Sequence, residues 1–297
     1  MLDEYWIGEN NRQSPEADVP IIDRSSVEYR LGGAANVSSN LVTLGLNPIL
    51  ISTIGDDKNG ALLSSMCLEK FRLQELIEIK DHMTTTKTRI VDQDFNQWLR
   101  VDHEKIGLPH YATTKMISVI EDTISENDIA AIIIQDYNKG VIIDTLIEKV
   151  QTLSVEKGIP LFVDPKVDNF KKLSICTVFK PNLKELEMAL GRAIEPIESS
   201  ITQAIAALGL EAVYIFVTLA EHGVYHLDTK KGHSGIVSGQ KIESPDVSGA
   251  GDTVLATLVW SYLNGENASI MAQKANDSGY QVCLKKGVST VEIGTIS

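Results

Sequence analysis

Short β-branched runs recur along this chain, and each is followed by a polar or glycine-containing turn and then by apolar positions at helical spacing. The runs over residues 49–54 and 129–134 fit this description, as does the one in GIPLFVDPK that stops at Asp164. So do the run in ICTVFKPN that stops at Pro181 and the run in AVYIFVTL that stops near Thr218. Such an order predicts parallel strands joined by crossover helices, an α/β fold. The run over 129–134 leads on to Asp136, so polar residues gather where strands end. Ligands of open parallel sheets bind outside those carboxyl ends, where loops from different strands meet. Asp136 and its counterparts are therefore candidates for one shared site.

Two segments depart from this order, one over about residues 5–30 and one over 84–104. Polar and apolar positions alternate with period two over 17–29 and 84–104, as in strands with one solvated face. They predict a small β-sheet lid set apart from the main sheet. With no internal repeat, low-complexity tract or Pro-rich linker, the lid reads as an insertion in one domain over 1–297.

Two helices are legible beside glycine turns. Gly32 and Gly33 precede a helix with Val37, Leu41 and Leu44 on one face, which puts Asn36 in its first turn. Late in the chain, DVSGAGDT precedes Val254, Leu255, Leu258, Val259, Tyr262 and Leu263 on one apolar face, with Gly265 just past the end. Asp252 then lies in the first turn, where the helix dipole favours a carboxylate whether or not it does chemistry.

Composition narrows the partners. The 297 residues carry a formal net charge of −13, which opposes nucleic acid and anionic membrane surfaces. An anionic substrate must then meet local arginines, lysines and backbone N–H groups. Cys67, Cys176 and Cys283 have no Cys-x-x-Cys spacing and read as reduced thiols of a cytoplasmic protein. The start MLDEYWIGENNR has no basic n-region or apolar h-region of an export signal, and no apolar run approaches membrane-spanning length.

The candidate chemistry begins at the late glycine turn. Gly249 and Gly251 free backbone N–H groups to face a common concavity at a helix start, an arrangement that binds phosphate. It is not a Walker loop, for no Lys-Ser/Thr follows the glycines. An acid in that place suits proton abstraction from an attacking hydroxyl while the amides hold a phosphoryl group. In KPNLKELE, Asn182 and Glu185 are spaced as a capping box, and at a strand end they could equally contact nucleotide phosphates and order water around magnesium. Lys87, Arg89 and Arg100 on the lid, with Lys139 and Lys166 at strand ends, are the cations open to an anionic substrate. The six histidines show no metal-ligand spacing, and His222 and His226 read as structural.

Taken in order, GGAAN, Asn-x-x-Glu and DVSGAGDT resemble the ribokinase-type carbohydrate kinases. MLDEYWIG, SPEADVPI, QDYNKG, VDPKVDNF and GVSTV extend the resemblance over nearly the whole chain, toward the branch of heptose-7-phosphate kinases. The resemblance implies a ribokinase-like, doubly wound, mostly parallel sheet with helices on both faces, and a lid that serves as a homodimer interface. It implies ATP and Mg²⁺ as cofactors and phosphorylation of the anomeric hydroxyl of a heptose 7-phosphate, with a separate adenylyltransferase acting downstream toward lipopolysaccharide core. A kinase of another sugar, or a binding protein without turnover, are the other readings. By position, Asp252 matches the catalytic base, and Gly249, Ala250 and Gly251 match the anion hole. Asn182, Leu183, Lys184 and Glu185 match the nucleotide segment, with Thr218 and Asn276 nearby and Glu185 reaching the metal through water. Asp3, Gly33 and Asn36 match sugar contacts; Asp136, Lys87, Arg89, Arg100, Lys139 and Lys166 fall in segments that would hold the sugar phosphate.

The sequence departs from the family in two places. The family's interior strand ending in Gly-Asp, expected before MLD, is missing ahead of Met1. Its absence predicts unpaired N–H and C=O groups on the neighbouring strands, unless the start lies upstream or the fold closes the gap. ANDSGYQV from Ala275 places Asp277 and Tyr280 where small apolar residues are usual, which bears on the adenine pocket.

Overall fold

A computed structural model describes residues 1–292 and 294. The chain opens with β1 (Leu2–Gln13), β2 (Pro20–Leu31), α1 (Ala34–Thr43), β3 (Ile49–Gly55), α2 (Lys58–Lys70) and β4 (Leu73–Ile79). Next come β5 (Thr86–Val91), β6 (Gln97–His103), α3 (His110–Glu126), β7 (Ile132–Gln135), α4 (Asp144–Lys157), β8 (Leu161–Asp164) and α5 (Phe170–Leu173). β9 (Val178–Phe179), α6 (Leu183–Leu190), α7 (Glu198–Leu208), β10 (Tyr214–Thr218), β11 (Gly223–Asp228), β12 (His233–Ser238), α8 (Ala250–Leu263) and α9 (Ala268–Cys283) complete it.

Three sheets form from these strands. The largest has the order β12-β11-β10-β9-β8-β7, parallel from β10 to β7 and antiparallel beyond β10. β3 and β4 make a separate parallel pair. The lid is the four-stranded sheet β2-β1-β5-β6; the period-two pattern anticipates β2, β5 and β6, but not β1, which lies between β2 and β5. Alternating side chains of the large sheet feed two cores, as pleating requires. Phe162, Val178 and Phe216 pack with α1, α8 and α9 on one face, while Val163, Phe179 and Ile215 pack with α4, α6 and α7 on the other. Helices therefore cover both faces, and the strand ends are left to carry the polar residues.

Two expectations need correction. The strand expected over 129–134 is the shorter β7, because Ile132 pairs with Leu161 and the residue before it, Pro160, has no N–H to extend the ladder. The helix expected to bury one face, α8, is buried nearly all round from Asp252 to Val259, because α1, α9 and β8 all pack against it. Among the described residues no helix is long and apolar enough to cross a membrane.

Candidate active site

Asp252 sits in the first turn of α8 with only 3% of its surface exposed. The turn before it depends on glycine. Gly249 has φ 79°, and a Cβ there would stand 2.5 Å from Asn36 Nδ2. Among the described residues no side chain caps α8; the Ala250 amide donates to the Val247 carbonyl at 3.2 Å, which leaves the neighbouring amides of the helix start to meet an anion. Gly251 keeps the space clear, for a Cβ there would meet Lys180 Nζ and Asp164 Oδ2 only at 3.7 and 3.9 Å.

Three donors hold the carboxylate. Asn36 Nδ2 donates to Oδ2 at 2.9 Å, while Tyr137 Oη and Gln135 Nε2 donate to Oδ1 at 2.8 and 3.2 Å. An ionised carboxylate accepts about four hydrogen bonds, so roughly one lone-pair direction is left. Burial pushes the pKa up to about 7, with Asn36 and Tyr137 holding it down and the Asp164 charge adding to the rise. A carboxylate so poised can take a proton near neutral pH. Tyr137 stays protonated, since burial and then the Asp252 charge drive its own pKa well up.

Other strand ends complete the surroundings. Lys180, 2% exposed and just past β9, pairs with Asp164 Oδ2 at 3.1 Å, and Gln135 Nε2 donates to the same oxygen at 2.9 Å. Asp136 Oδ2 accepts from Asn169 Nδ2 at 2.9 Å and from the Lys166 amide at 3.2 Å. The Lys166 ammonium lies 6.0 Å from the Tyr137 ring centroid and pairs with Glu185. Burial opposes that charge, yet Glu185 outweighs it and raises the Lys166 pKa. Asn182 and Glu185 form the anticipated capping box, with both side chain to backbone bonds at 2.9 Å. Thr218 bridges to Asn182 across the strand ends, and Leu183 and Lys184 open α6 behind them.

The lid brings its cations to one face. Register places Asp3 beside Lys87 and Tyr5 beside Arg89 in parallel, and Arg89 opposite Arg100. That face looks onto the main body, where the Val288 amide donates to Tyr5 Oη at 3.0 Å. Arg89 pairs with buried Asp3, while Lys87 and Arg100 share Asp102. Lys139 pairs with Glu104 at 2.7 Å. Gly33, the residue before α1, packs close to Tyr137 and Met1.

Direct contacts thus join Asp252, Asn36, Asp164, Asp136, Lys166, Glu185, Asn182 and Thr218 through neighbours. Lys87, Arg100 and Lys139 stay in ion pairs of their own, and Asn276 bonds the Ser238 carbonyl from α9. Sequence reasoning does not reach Gln135, Tyr137 or Lys180. The one available signal is a charged or polar residue closing a buried strand, as in IIIQDY and TVFK.

Comparison with known proteins bears on this constellation. The profile described as pfkB family carbohydrate kinase matches residues 5–293. The chain is similar to the D-beta-D-heptose 7-phosphate kinase of Bordetella bronchiseptica, with 35% identity over 98% of this chain and 90% of the relative. It is also 35% identical, over 99% of its length, to the bifunctional protein HldE of Coxiella burnetii, of which it spans 60%. Among solved structures, Escherichia coli phosphofructokinase-2 in complex with substrates and products superposes with a TM-score of 0.80 at 17% identity, covering 99% of this chain and 93% of that one. That likeness establishes a ribokinase-like fold. Family match and near full-length kinase relative together place this chain in the pfkB family of carbohydrate kinases, phosphotransferases that act on an alcohol group.

Proposed function

We propose that this protein is an ATP-dependent kinase that phosphorylates the anomeric hydroxyl of D-glycero-D-manno-heptose 7-phosphate, toward ADP-heptose for lipopolysaccharide core. The observation that carries phosphoryl transfer is Asp252, buried, poised near neutral pH and set against open helix amides. The heptose assignment rests on the resemblance to the Bordetella kinase.

In this reading the sugar hydroxyl gives its proton to Asp252 as its oxygen attacks the γ-phosphorus, and the bond to the ADP oxygen breaks. Amides of Gly249, Ala250 and Gly251 hold the transferring group. Asn182, Leu183, Lys184, Glu185, Thr218 and Asn276 line the nucleotide side, while Asp3, Gly33 and Asn36 orient sugar hydroxyls. Lys87, Arg89, Arg100, Lys139 and Lys166 face the substrate phosphate, with Asp136 fixing the Lys166 backbone. Magnesium would supply positive charge at the nucleotide phosphates. Glu185 suits contact through water, since its two oxygens already meet the Asn182 amide and Lys166. Dimerisation through the lid is supported by Leu99 and Val101, 55% and 50% exposed on the face turned away from Arg89.

The test is turnover of purified protein with ATP and Mg²⁺ on heptose 7-phosphate, ribose, fructose and fructose 6-phosphate. The highest kcat/KM is expected on the heptose phosphate, and preference for another sugar would overturn the assignment. Changing both Lys87 and Arg100 to alanine is expected to raise KM for the sugar phosphate about tenfold, the worth of a lost charged hydrogen bond. KM for ATP should not move.

The pH profile offers a further check. Activity needs the ionised carboxylate, so kcat/KM should climb through pH about 7. Tyr137→Phe removes a hydrogen bond that favours that ion, so the climb should shift to higher pH. A profile unchanged by this substitution would count against Asp252 as the titrating group.

A further inference from the structure

Glu185 faces a demand from two cations. Its carboxylate is 6% exposed at the start of α6, where Oε2 accepts from the Asn182 amide at 2.9 Å and is fixed by the capping box. Oε1 is left for the Lys166 ammonium, and among the described residues that ammonium has no other hydrogen-bond partner. Oε1 is also the oxygen with which Glu185 could hold the water shell of a nucleotide's magnesium, its part in the proposed reaction. Two cations crowded at one nearly buried oxygen repel each other, so they occupy it in turn.

Lys166 is placed to give way. Its backbone is pinned just past β8, with the N–H donating to Asp136 Oδ2 at 3.2 Å and the carbonyl accepting from Asn169 N at 2.9 Å. Its side chain is 35% exposed, and the four-carbon stem can swing about that fixed point. A second seat lies close by, for the ammonium is already 6.0 Å from the centroid of the Tyr137 ring, at the outer reach of a cation–π contact. Tyr137 donates to Asp252 at 2.8 Å, so that seat belongs to the acceptor half of the site, whereas Glu185 belongs to the nucleotide half. Lys180 differs. It is 2% exposed against Asp164, and burial keeps it in one place.

We propose that Lys166 is a stand-in for the divalent cation: it neutralises Glu185 in the metal-free protein and yields Oε1 when a nucleotide brings its magnesium, leaving the ammonium free on the Tyr137 side. The empty site thereby avoids a nearly buried carboxylate without a counter-charge, which is the costly state of such a group. The loaded site gains a cation in its acceptor half only after the metal is seated.

This inference rests on the nucleotide side of the kinase reading. Calorimetry of ADP binding tests it without turnover, with the affinity measured in excess Mg²⁺ and again in EDTA. The quantity to compare is the gain in affinity that magnesium brings. In Lys166→Met, ADP without metal meets a bare Glu185, and ADP with metal meets no competitor. Its gain is therefore expected to exceed the parental one about tenfold, the worth of one charged hydrogen bond. Lys166→Gln serves equally if the methionine form does not fold. In a Glu185→Gln background the contested charge is gone, and adding Lys166→Met should leave the gain unchanged. A gain in Lys166→Met equal to or below that of the parent would overturn the proposal, as would a tenfold rise that persists in the Glu185→Gln background. Failure of ADP to bind the parent under either condition would remove the nucleotide site itself, so the kinase reading would fall and the proposal with it.

Discussion

Replacing Asp252 by asparagine is expected to lower kcat on the order of 10²–10⁴-fold, the range contributed by a positioned base. KM for sugar and ATP should stay near the parental values, because the amide keeps the shape of the side chain. Its effect on stability separates chemistry from damage. Burial raises the folded-state pKa to about 7, above the ordinary carboxylate range of the unfolded chain. The stability this group contributes is therefore complete at low pH, where it is protonated in both states, and is lost as pH rises through 7. At pH 8 the ionised Asp252 is a burden, so the neutral variant should not melt below the parent. A variant that loses activity together with several degrees of Tm at pH 8 would mark Asp252 as structural.

Lys180→Met is expected to cost about 3–5 kcal/mol of stability, the usual result of stripping one partner from a buried ion pair. Asp164 is then buried with Gln135 as its remaining donor, and the amide of Gln135 is shared with Asp252. Chemical denaturation should show the loss, and Lys180→Met combined with Asp164→Asn should recover much of it. Activity should fall by a separate route. The Lys180 charge favours the ionised form of Asp252 and Asp164 opposes it. Lys180→Met should therefore move the rising limb of the pH profile upward, and Asp164→Asn should move it downward. A double variant no more stable than Lys180→Met alone would show that the pair is not the source of the cost.

What could be read from residues alone was local chemistry with a fixed order along the chain. The glycine turn before Asp252 and the Gly-Gly before Asn36 are legible because glycine, acid and apolar stripe each have a local signature. Their meeting, Asn36 Nδ2 on Asp252 Oδ2 across 216 positions, is a property of the fold. Gln135, Tyr137 and Lys180 escape the same reading, since their one local signal, a polar residue closing a buried strand, is shared with ordinary loop residues. They matter because three parallel strands end side by side. Period two found the lid, but it could not tell that Lys87 and Arg100 share Asp102 while Arg89 takes Asp3, because pairing depends on strand register. α8 shows the reverse limit. Its apolar stripe marks the face that any helix would bury, whereas three neighbours bury it on every side.

The most direct measurement of the central claim is ³¹P NMR of the product formed from heptose 7-phosphate, ATP and Mg²⁺ by the parent protein and by Asp252→Asn. The account predicts a second sugar phosphorus coupled to the anomeric proton, with equivalent ADP, from the parent, and only a trace from the variant. A new phosphate at another carbon, release of inorganic phosphate alone, or equal product from the two proteins would contradict it.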